Sequence, residues 1–576
     1  MQILQFGGNS RGIMNNSLND LILDGLSINS NGSSSTGIYN NKSTSIIIND
    51  CNINITGSSD YYEGGVGIYN KDNGNIVMNN GIISGTGCTI YNKALGKIII
   101  NDGNISGGDS SRATIYNEGA ANVTIKDGII TAVNGRWTSA IYNNSTGEIT
   151  IDGGNIIGGN WDGYGILNKT TGKVIINGGT ITDRSSGGIY NNSTGSVIAK
   201  NANFEGNVAI QNLSNAEIEL YNCNIKSDSS YGNLIYNKLG GSIKLEKCTI
   251  KQTNEYSKDM IVNNNVGNIV INDCNIESVA RAICNNSTGK IEIKAGNINS
   301  TLNSAVVNNS TGLIIIGEND ENVGKELPYI YGALYSIENI NGEVEFYDGI
   351  LKAQKDIVNG GITQIPESYE LYITYENSMY TGVLMIPNEH DPVAKIENDL
   401  YYTLQDAIDA CGVQGNTKKV EILRDIRLSK TVKIQEGQNI ELDIQGYNLI
   451  GYLRDEAISN SGNLKVLDTS EGETGSVSTR GKEIIRNLQT GTLNIQGIKL
   501  RLGSAGTAEN NKYFIYNEGN LVAENINIDT DTPTYTYGVY NAKTGTATVN
   551  SSYIRLNNGY PCYCIYNEEG TMYLNN

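Results

Sequence analysis

The sequence predicts an all-β fold, a right-handed parallel β-helix solenoid, and three observations carry that reading. An apolar residue, one spacer and an asparagine recur at Asn15, Asn40, Asn70, Asn92, Asn117, Asn143 and Asn168 and onward to Asn359, then again from Asn460 to Asn567. Successive asparagines are mostly 20 to 30 residues apart, a period that belongs to solenoids whose repeats are single units stacked on one another. Between them lie short runs of alternating parity, broken by Asn, Gly, Asp and Ser, which read as strands and bends and not as helices.

Residues 89–107, TIYNKALGKIIINDGNISG, make one such repeat. Ile90 and Asn92 share parity, KALG turns the chain, Ile98 and Ile100 share parity, Asn101-Asp102 turns it again, and Gly103 and Ile105 follow. Three strands and three bends form one coil, and coils stack at strand spacing, about 4.8 Å. The same text returns at 148–159, 173–183, 268–278 and 290–300, and only the stretch before the next Ile-Tyr-Asn varies much in length. Loops therefore project from one edge.

The recurring asparagine shares parity with the inward isoleucine and so points inward at a bend, where Asn tolerates left-handed backbone and bonds the turn. Stacked coil on coil, each amide can donate to one neighbour and accept from the other, which satisfies a buried polar group. The residue between Ile and Asn, often tyrosine (Tyr39, Tyr69, Tyr91, Tyr116, Tyr142), has the opposite parity and is expected to form an outer stack. Cys51, Cys223, Cys248 and Cys274 fill a slot that other coils give to Gly81, Gly103, Gly154 or Gly179. A small buried hydrophobe fits that slot, and neither His nor CxxC accompanies these thiols to favour a metal or redox role.

Regular repeats fade after Asn359. Residues 367–387 read as extended strands in a hairpin, and 389–392 as a joint. Leu404, Ala407, Ile408 and Cys411 then form an apolar stripe at helical spacing, with Thr403 and Asp406 as the N-cap pair and Gly412 as the stop. A short helix near 403–411 would cap an open solenoid end. The expected organisation is a first β-helix over 1–363, a hairpin and linker over 364–393, and a second β-helix over 394–576. Both ends read as interior text, so the chain is expected to be a fragment of a longer secreted protein.

The second-half opening carries Ala394-Lys395-Ile396, Tyr402-Thr403-Leu404-Gln405-Asp406-Ala407-Ile408, Val420 to Ile426, and Leu442-Asp443-Ile444-Gln445-Gly446-Tyr447. Over about 60 residues this resembles a domain of bacterial cell-surface proteins of the pectate-lyase-like superfamily. The resemblance implies a right-handed parallel β-helix on a surface-exposed or adhesin-like protein, and no particular activity, because that fold hosts many.

Sixty acidic against 41 basic residues leave a net charge of −19, which argues against nucleic acid or an anionic membrane as partner. No run of 18 apolar residues is present to span a bilayer. Enzymes of the resembling fold act on acidic polysaccharides through calcium and a basic residue, or through paired carboxylates. The NTD, DD, GHG and RIK strings of the hydrolases are absent, the only His is His390 in the joint, and the densest acidic stretch, Glu318-Asn319-Asp320-Glu321, sits in an irregular insertion. No catalytic residue, metal site or cofactor is therefore expected.

The expected function is a non-catalytic extracellular scaffold, surface-displayed or adhesin-like, with a polysaccharide lyase or hydrolase and a phage-type tail fibre as alternatives. A ligand site, if present, falls on loop aromatics and their polar neighbours: Tyr61, Tyr62, Trp137, Trp161, Tyr164, Asn160 and Asp162. Aromatics among Asn, Asp, Ser and Gly suit sugar rings, though loop packing uses the same residues. The partner expected is an extracellular carbohydrate or a host or cell-surface component.

Overall fold

The fold is taken from a computed structural model, which describes every residue except 1–2, 9, 58–63, 109–112, 134–136, 161, 185, 231, 320–326, 414, 453–455, 503–510, 532–534 and 558–560. It is an all-β parallel solenoid of about 21 coils, with one α-helix among the described residues. The chain divides into two compact units, Met1–Ala305 and Val306–Asn576.

In the first unit each coil contributes one strand to each of three parallel sheets. Ser139–Asn143, Ile149–Ile151 and Asn155–Ile157 make one coil. They pair in register with the next, Ile141 with Ile166, Ile149 with Val174 and Asn155 with Thr180. Period-two alternation decides what is inside: Ile149 and Ile151 are fully buried while Thr150 between them is half-buried. Isoleucine suits this interior because its branched side chain packs on a pleated surface and on its own copy one coil away.

The buried asparagines form the ladder the parity predicts. Each Nδ2 donates to Oδ1 of the next, from Asn15 to Asn40 at 2.8 Å, through Asn117 to Asn143 at 3.0 Å, to Asn263 on Asn285 at 3.1 Å. The second amide proton goes to a carbonyl of the same turn four residues on, such as Gly74 O for Asn70 at 2.6 Å and Gly147 O for Asn143 at 2.8 Å. One side chain thus fixes both coil spacing and bend.

The cysteine slot is confirmed in register, Cys51 opposite Gly81 and Cys274 opposite Gly296. The corner itself differs between the two residue types. Where glycine fills the slot it takes the left-handed conformation itself, with φ +114° at Gly103, +99° at Gly128 and +108° at Gly296. Where cysteine fills it, the preceding residue takes positive φ instead: Asp50, Asn222, Lys247 and Asp273. A Cβ on Gly296 would lie 2.2 Å from the Cys274 carbonyl oxygen, so those corners need glycine, whereas the shifted corner admits a side chain. All nine cysteines are free thiols. Cys223, Cys248 and Cys274 are buried in successive coils, and the Cys248 N–H points at Cys274 Sγ, 3.4 Å away.

The outer tyrosine stack also differs from expectation. Tyr39, Tyr69, Tyr91 and Tyr116 are at most 8% exposed and form their own cluster with Val66, Cys88 and Ala113. Their centroids follow at 5.0, 5.0 and 5.2 Å, the first pair stacked and the others edge-on, both favoured aromatic arrangements. The strands here lengthen at their N-terminal end, as in Val66–Asn70 and Ala113–Asn117, and all five positions are buried, so a second apolar layer covers the rings.

In the second unit Asn308 donates to Asn339 at 3.3 Å, and there this stretch of ladder stops. Sequence parity assigns Asn359 to the next rung, but Glu338, not Asn339, lies opposite Asn359. A one-residue shift moves a side chain to the other face of a strand, so Asn359 is outside the ladder and Asn339 donates to Gly342 O at 2.8 Å instead. Glu370–Glu376 and Met379–Met385 then form an antiparallel hairpin. Its two-residue turn, Asn377-Ser378, has positive φ at both positions, as the twist of a tight hairpin requires. The helix spans Leu404–Ala410, capped by Thr403 Oγ1 accepting from Asp406 N at 2.9 Å, and buries Leu404, Ala407 and Ile408. Parallel coils follow, and their asparagines form a second ladder from Asn460 to Asn567.

Two carboxylates organise this unit. Asp443, in the Leu442–Tyr447 motif, is fully buried and accepts from Gln445 N, Thr469 N, Thr469 Oγ1 and Lys419 Nζ at 3.2, 3.1, 2.6 and 2.9 Å. Burial pushes its pKa up, but these donors outweigh burial and hold it at about 2. Because the folded value lies below the unfolded one, the stabilisation is present above about pH 4 and is lost as pH falls toward 2, by about 2 kcal/mol. Melting temperatures of wild type and Asp443→Asn should converge across that window; a constant difference down to pH 2 would show that the charge contributes nothing. The second carboxylate, Asp356, is ion-paired with Arg480 and accepts from Tyr452 Oη at 3.0 Å.

Candidate functional site

The variable loops leave the third sheet and re-enter the Ile-Tyr-Asn sheet, so their order along the edge follows the coils. Of the seven residues the sequence singles out, Tyr61, Tyr62 and Trp161 lie outside the described residues. Trp137, Asn160, Asp162 and Tyr164 fall on two successive coils.

Trp137 is 52% exposed. Its backbone is left-handed, φ 59°, and Asp162 one coil on has φ 64°. Both stand two residues before the strand that enters the ladder, Ser139–Asn143 and Tyr164–Asn168. Such backbone costs a non-glycine residue of the order of 1 kcal/mol, so the corner is held by its surroundings. Gly163 has no room for a side chain, since a Cβ there would be 2.3 Å from Thr138 O and 2.8 Å from Gly159 Cα. That contact locks the Asp162 corner onto the Trp137 corner at backbone distance.

The polar groups beyond are also ordered. Asp162 accepts from Ser186 Oγ at 3.4 Å, on the following coil. Asp183 is buried and accepts from the Ser186, Asn207 and Val208 amides at 2.7, 3.2 and 3.1 Å. Tyr164 packs its ring on Tyr190 at 4.6 Å. Burial first, then Tyr190 and the carboxylates of Asp162 and Asp183, push its phenol up to about 12, so it is a neutral donor at physiological pH. The arrangement presents one half-exposed indole and a few fixed polar groups, which suits binding.

Elsewhere the concave features are of a different kind. A groove of about 740 Å³ in the second unit runs between residues 363–370, the helix, and the strands near 426–434. Two of its charges are engaged locally: Gln405 Nε2 donates to Asp409 at 2.8 Å and also to Lys433 O at 3.0 Å, and Lys430 Nζ donates to the Glu367 carbonyl. His390 stacks on Tyr372 at 5.4 Å with Nε2 3.7 Å from Glu370 Oε2. Among the described residues no group of three His, Cys, Asp or Glu is arranged to hold a metal ion. Of the acidic insertion, Asp320 and Glu321 lie outside the described residues.

Sequence parity places Tyr516, Tyr540 and Tyr566 in one outer column of the second unit, as found, but misses the second column beside it. Tyr513, Tyr537 and Tyr563 stack at 5.0 and 5.3 Å beside Tyr516, Tyr540 and Tyr566, which stack at 4.8 and 5.0 Å. The signal was present as Tyr-x-x-Tyr in three successive coils, but Tyr537 reads as a loop residue from sequence and lies in the strand Thr536–Asn541. Arg486 sits over Tyr516 at 4.9 Å. No family model, no curated protein and no solved structure matches this chain.

Proposed function

We propose that this chain is a non-catalytic extracellular scaffold, surface-displayed or adhesin-like, that binds glycan through the loop edge carrying Trp137. The observation behind this reading is the half-exposed indole on a locked left-handed corner, with Asp162 on the equivalent corner of the next coil. A rigid solenoid supplies the preorganisation such an edge needs, because its corners are fixed by ladder bonds and backbone contacts before any ligand arrives. The finer assignment, a right-handed β-helix of the pectate-lyase-like superfamily from a bacterial surface, rests on the text at 394–447.

A glycan array with wild type and Trp137→Ala tests the reading. Loss of an aromatic anchor from a binding patch should weaken retention at least about tenfold. Equal binding by both proteins would place the site elsewhere. Release of unsaturated products or reducing ends from polygalacturonate, with or without calcium, would replace the scaffold reading with an enzymatic one.

A further inference from the structure

The third sheet of the first unit turns a solvent-facing surface outward immediately before the Trp137 edge. Its outward positions form two straight columns, because parallel in-register pairing superimposes equivalent residues coil after coil. The first column reads Asn52, Ile82, Asn104, Ile129, Asn155, Thr180. The second, two residues further along each strand, holds Asn, Ser, Ser, Thr, Ile and Thr. Neither contains a charge over these six coils, about 24 Å at strand spacing, in a chain of net charge −19.

Stacking does not force that neutrality. In the coils that follow, the second column carries Glu205, Lys226, Lys251 and Glu277, and Lys251 bonds Glu277 at 2.6 Å. The sheet accommodates charged side chains at this position, two of them lysines on adjacent coils, and the six coils beside Trp137 have none in either column.

These side chains also differ from the inner ladder in what they bond. The inner asparagines use both amide protons within the protein. The side chains of Asn52, Asn104, Asn155 and Thr180 have no hydrogen-bond partner among the described residues. Between them Ile82 and Ile129 are 47% and 39% exposed. The face is therefore a fixed alternation of free amides and apolar patches, one residue per coil. The corner leading into it carries Asp102, Asp127 and Asp152 against one cation, Lys126, and the carboxylates accept from Gly103 N at 2.6 Å, Gly128 N at 2.8 Å and Asn177 Nδ2 at 2.8 Å. An anionic polymer laid on this face would meet that acidic rim.

We propose that this neutral face is the floor of the glycan site, and that its ligand is an uncharged, extended, β-linked polysaccharide lying along the solenoid axis. The inference rests on the reading of the Trp137 edge as glycan-binding and deepens it by naming the ligand class. A straight chain of equatorially linked pyranose rings advances by about one coil rise per ring. Its hydroxyls would meet the amides of Asn104 and Asn155 while its ring faces meet Ile129 and the indole of Trp137. The face repeats once per coil along the solenoid axis, a spacing that an extended chain can follow ring by ring.

The test is depletion of the full chain by insoluble cellulose and chitin, with soluble mannan and polygalacturonate as competitors. Wild type should be retained by a neutral polymer and not displaced by polygalacturonate. Asn104→Glu with Asn155→Glu should reduce retention more than tenfold with an unchanged melting curve. Should that pair unfold, Ile82→Ser with Ile129→Ser removes the apolar contacts without adding charge, and should weaken retention several-fold. If Trp137→Ala abolishes binding while the face variants leave it intact, the edge reading stands and this inference falls. Preference for polygalacturonate, or no retention by any neutral polymer, also overturns it. A wild-type dimer in sedimentation that the Glu pair dissociates would make the face a self-interface and overturn it as well.

Discussion

Asp356→Ala is expected to cost about 3–5 kcal/mol, the largest effect of any surface-remote substitution in the second unit. Asp356 is buried and holds three groups at once: the Arg480 guanidinium as an ion pair, the Tyr452 hydroxyl at 3.0 and 3.2 Å, and the Ile357 amide at 2.7 Å. Arg480 also donates to the Val358 carbonyl and lies over the Tyr452 ring at 4.6 Å. Burial lowers the guanidinium's pKa to about 10, so it stays charged at neutral pH and cannot shed its charge when its partner is removed. Asp356→Ala therefore leaves a cation and a phenol without their acceptor in a dry site, whereas Asp356→Leu with Arg480→Met removes both charges and should recover most of the loss. Denaturant unfolding, with hydrogen exchange read at 356–359 and 476–480, measures both variants, because a solenoid can open locally before it unfolds. A loss below about 1 kcal/mol for the single variant would mean the pair is solvated and structurally idle.

This network marks a limit of what the sequence discloses. Parity and period placed the ladder asparagines, the inward isoleucines and the capping helix correctly, because each depends on residues close in sequence or at a fixed offset. Thr403 and Asp406 announce a cap by their spacing alone, and Asn377-Ser378 sits where a hairpin turn must. Asp356, Tyr452 and Arg480 are separated by 96 and 28 residues, share no motif, and meet only after the hairpin has changed the direction of the chain. Asn359 shows the opposite failure: it satisfies the local pattern, yet the strand Asp356–Asn359 is shifted by one residue against Tyr335–Asn339, and local text cannot register such a shift. The tyrosines failed for a third reason. Parity gives the direction of a side chain but not whether a second layer covers it, so Tyr69 reads as an outer residue and is 2% exposed.

The candidate site was legible in part for the same physical reasons. Loop aromatics can be found by composition, and Trp137 is exposed as that reading requires. The left-handed corner at Trp137 could not be read, because tryptophan does not announce positive φ, the one at Asp162 was only compatible with its residue type, and Gly163 acquires its meaning only from Thr138 one coil away. The neutral face was legible in principle, since its columns follow from parity, but it is defined by missing charge over six coils and not by any motif.

The ladder offers the sharpest stability test, because one atom can be changed without changing shape. Asn143 Nδ2 donates to Gly147 O at 2.8 Å and to Asn168 Oδ1 at 3.1 Å, while its Oδ1 accepts from Asn117 Nδ2 at 3.0 Å and Ser145 Oγ at 2.8 Å. Asn143→Ala removes all four and should cost about 1–3 kcal/mol, limited by how well neighbouring amides re-pair within their own turns. Asn143→Asp keeps the volume but turns an oxygen toward two acceptors, and at neutral pH places a charge in a fully buried stack. Its cost at pH 7 should therefore exceed that of alanine, at about 3–5 kcal/mol. Burial raises the folded pKa of such a carboxyl above its unfolded value of about 4. The sign follows: the protonated form can donate one of the lost bonds, so Asn143→Asp is least destabilised below pH 4. Its deficit grows as pH rises from there through the folded pKa, then levels off. Denaturation of wild type and both variants at pH 4 and pH 7 decides the matter. The ladder account requires the aspartate variant to lose stability between the two pH values relative to the alanine variant. Equal losses at both pH values would mean that position 143 is open to water and that the stack does not carry the coil spacing.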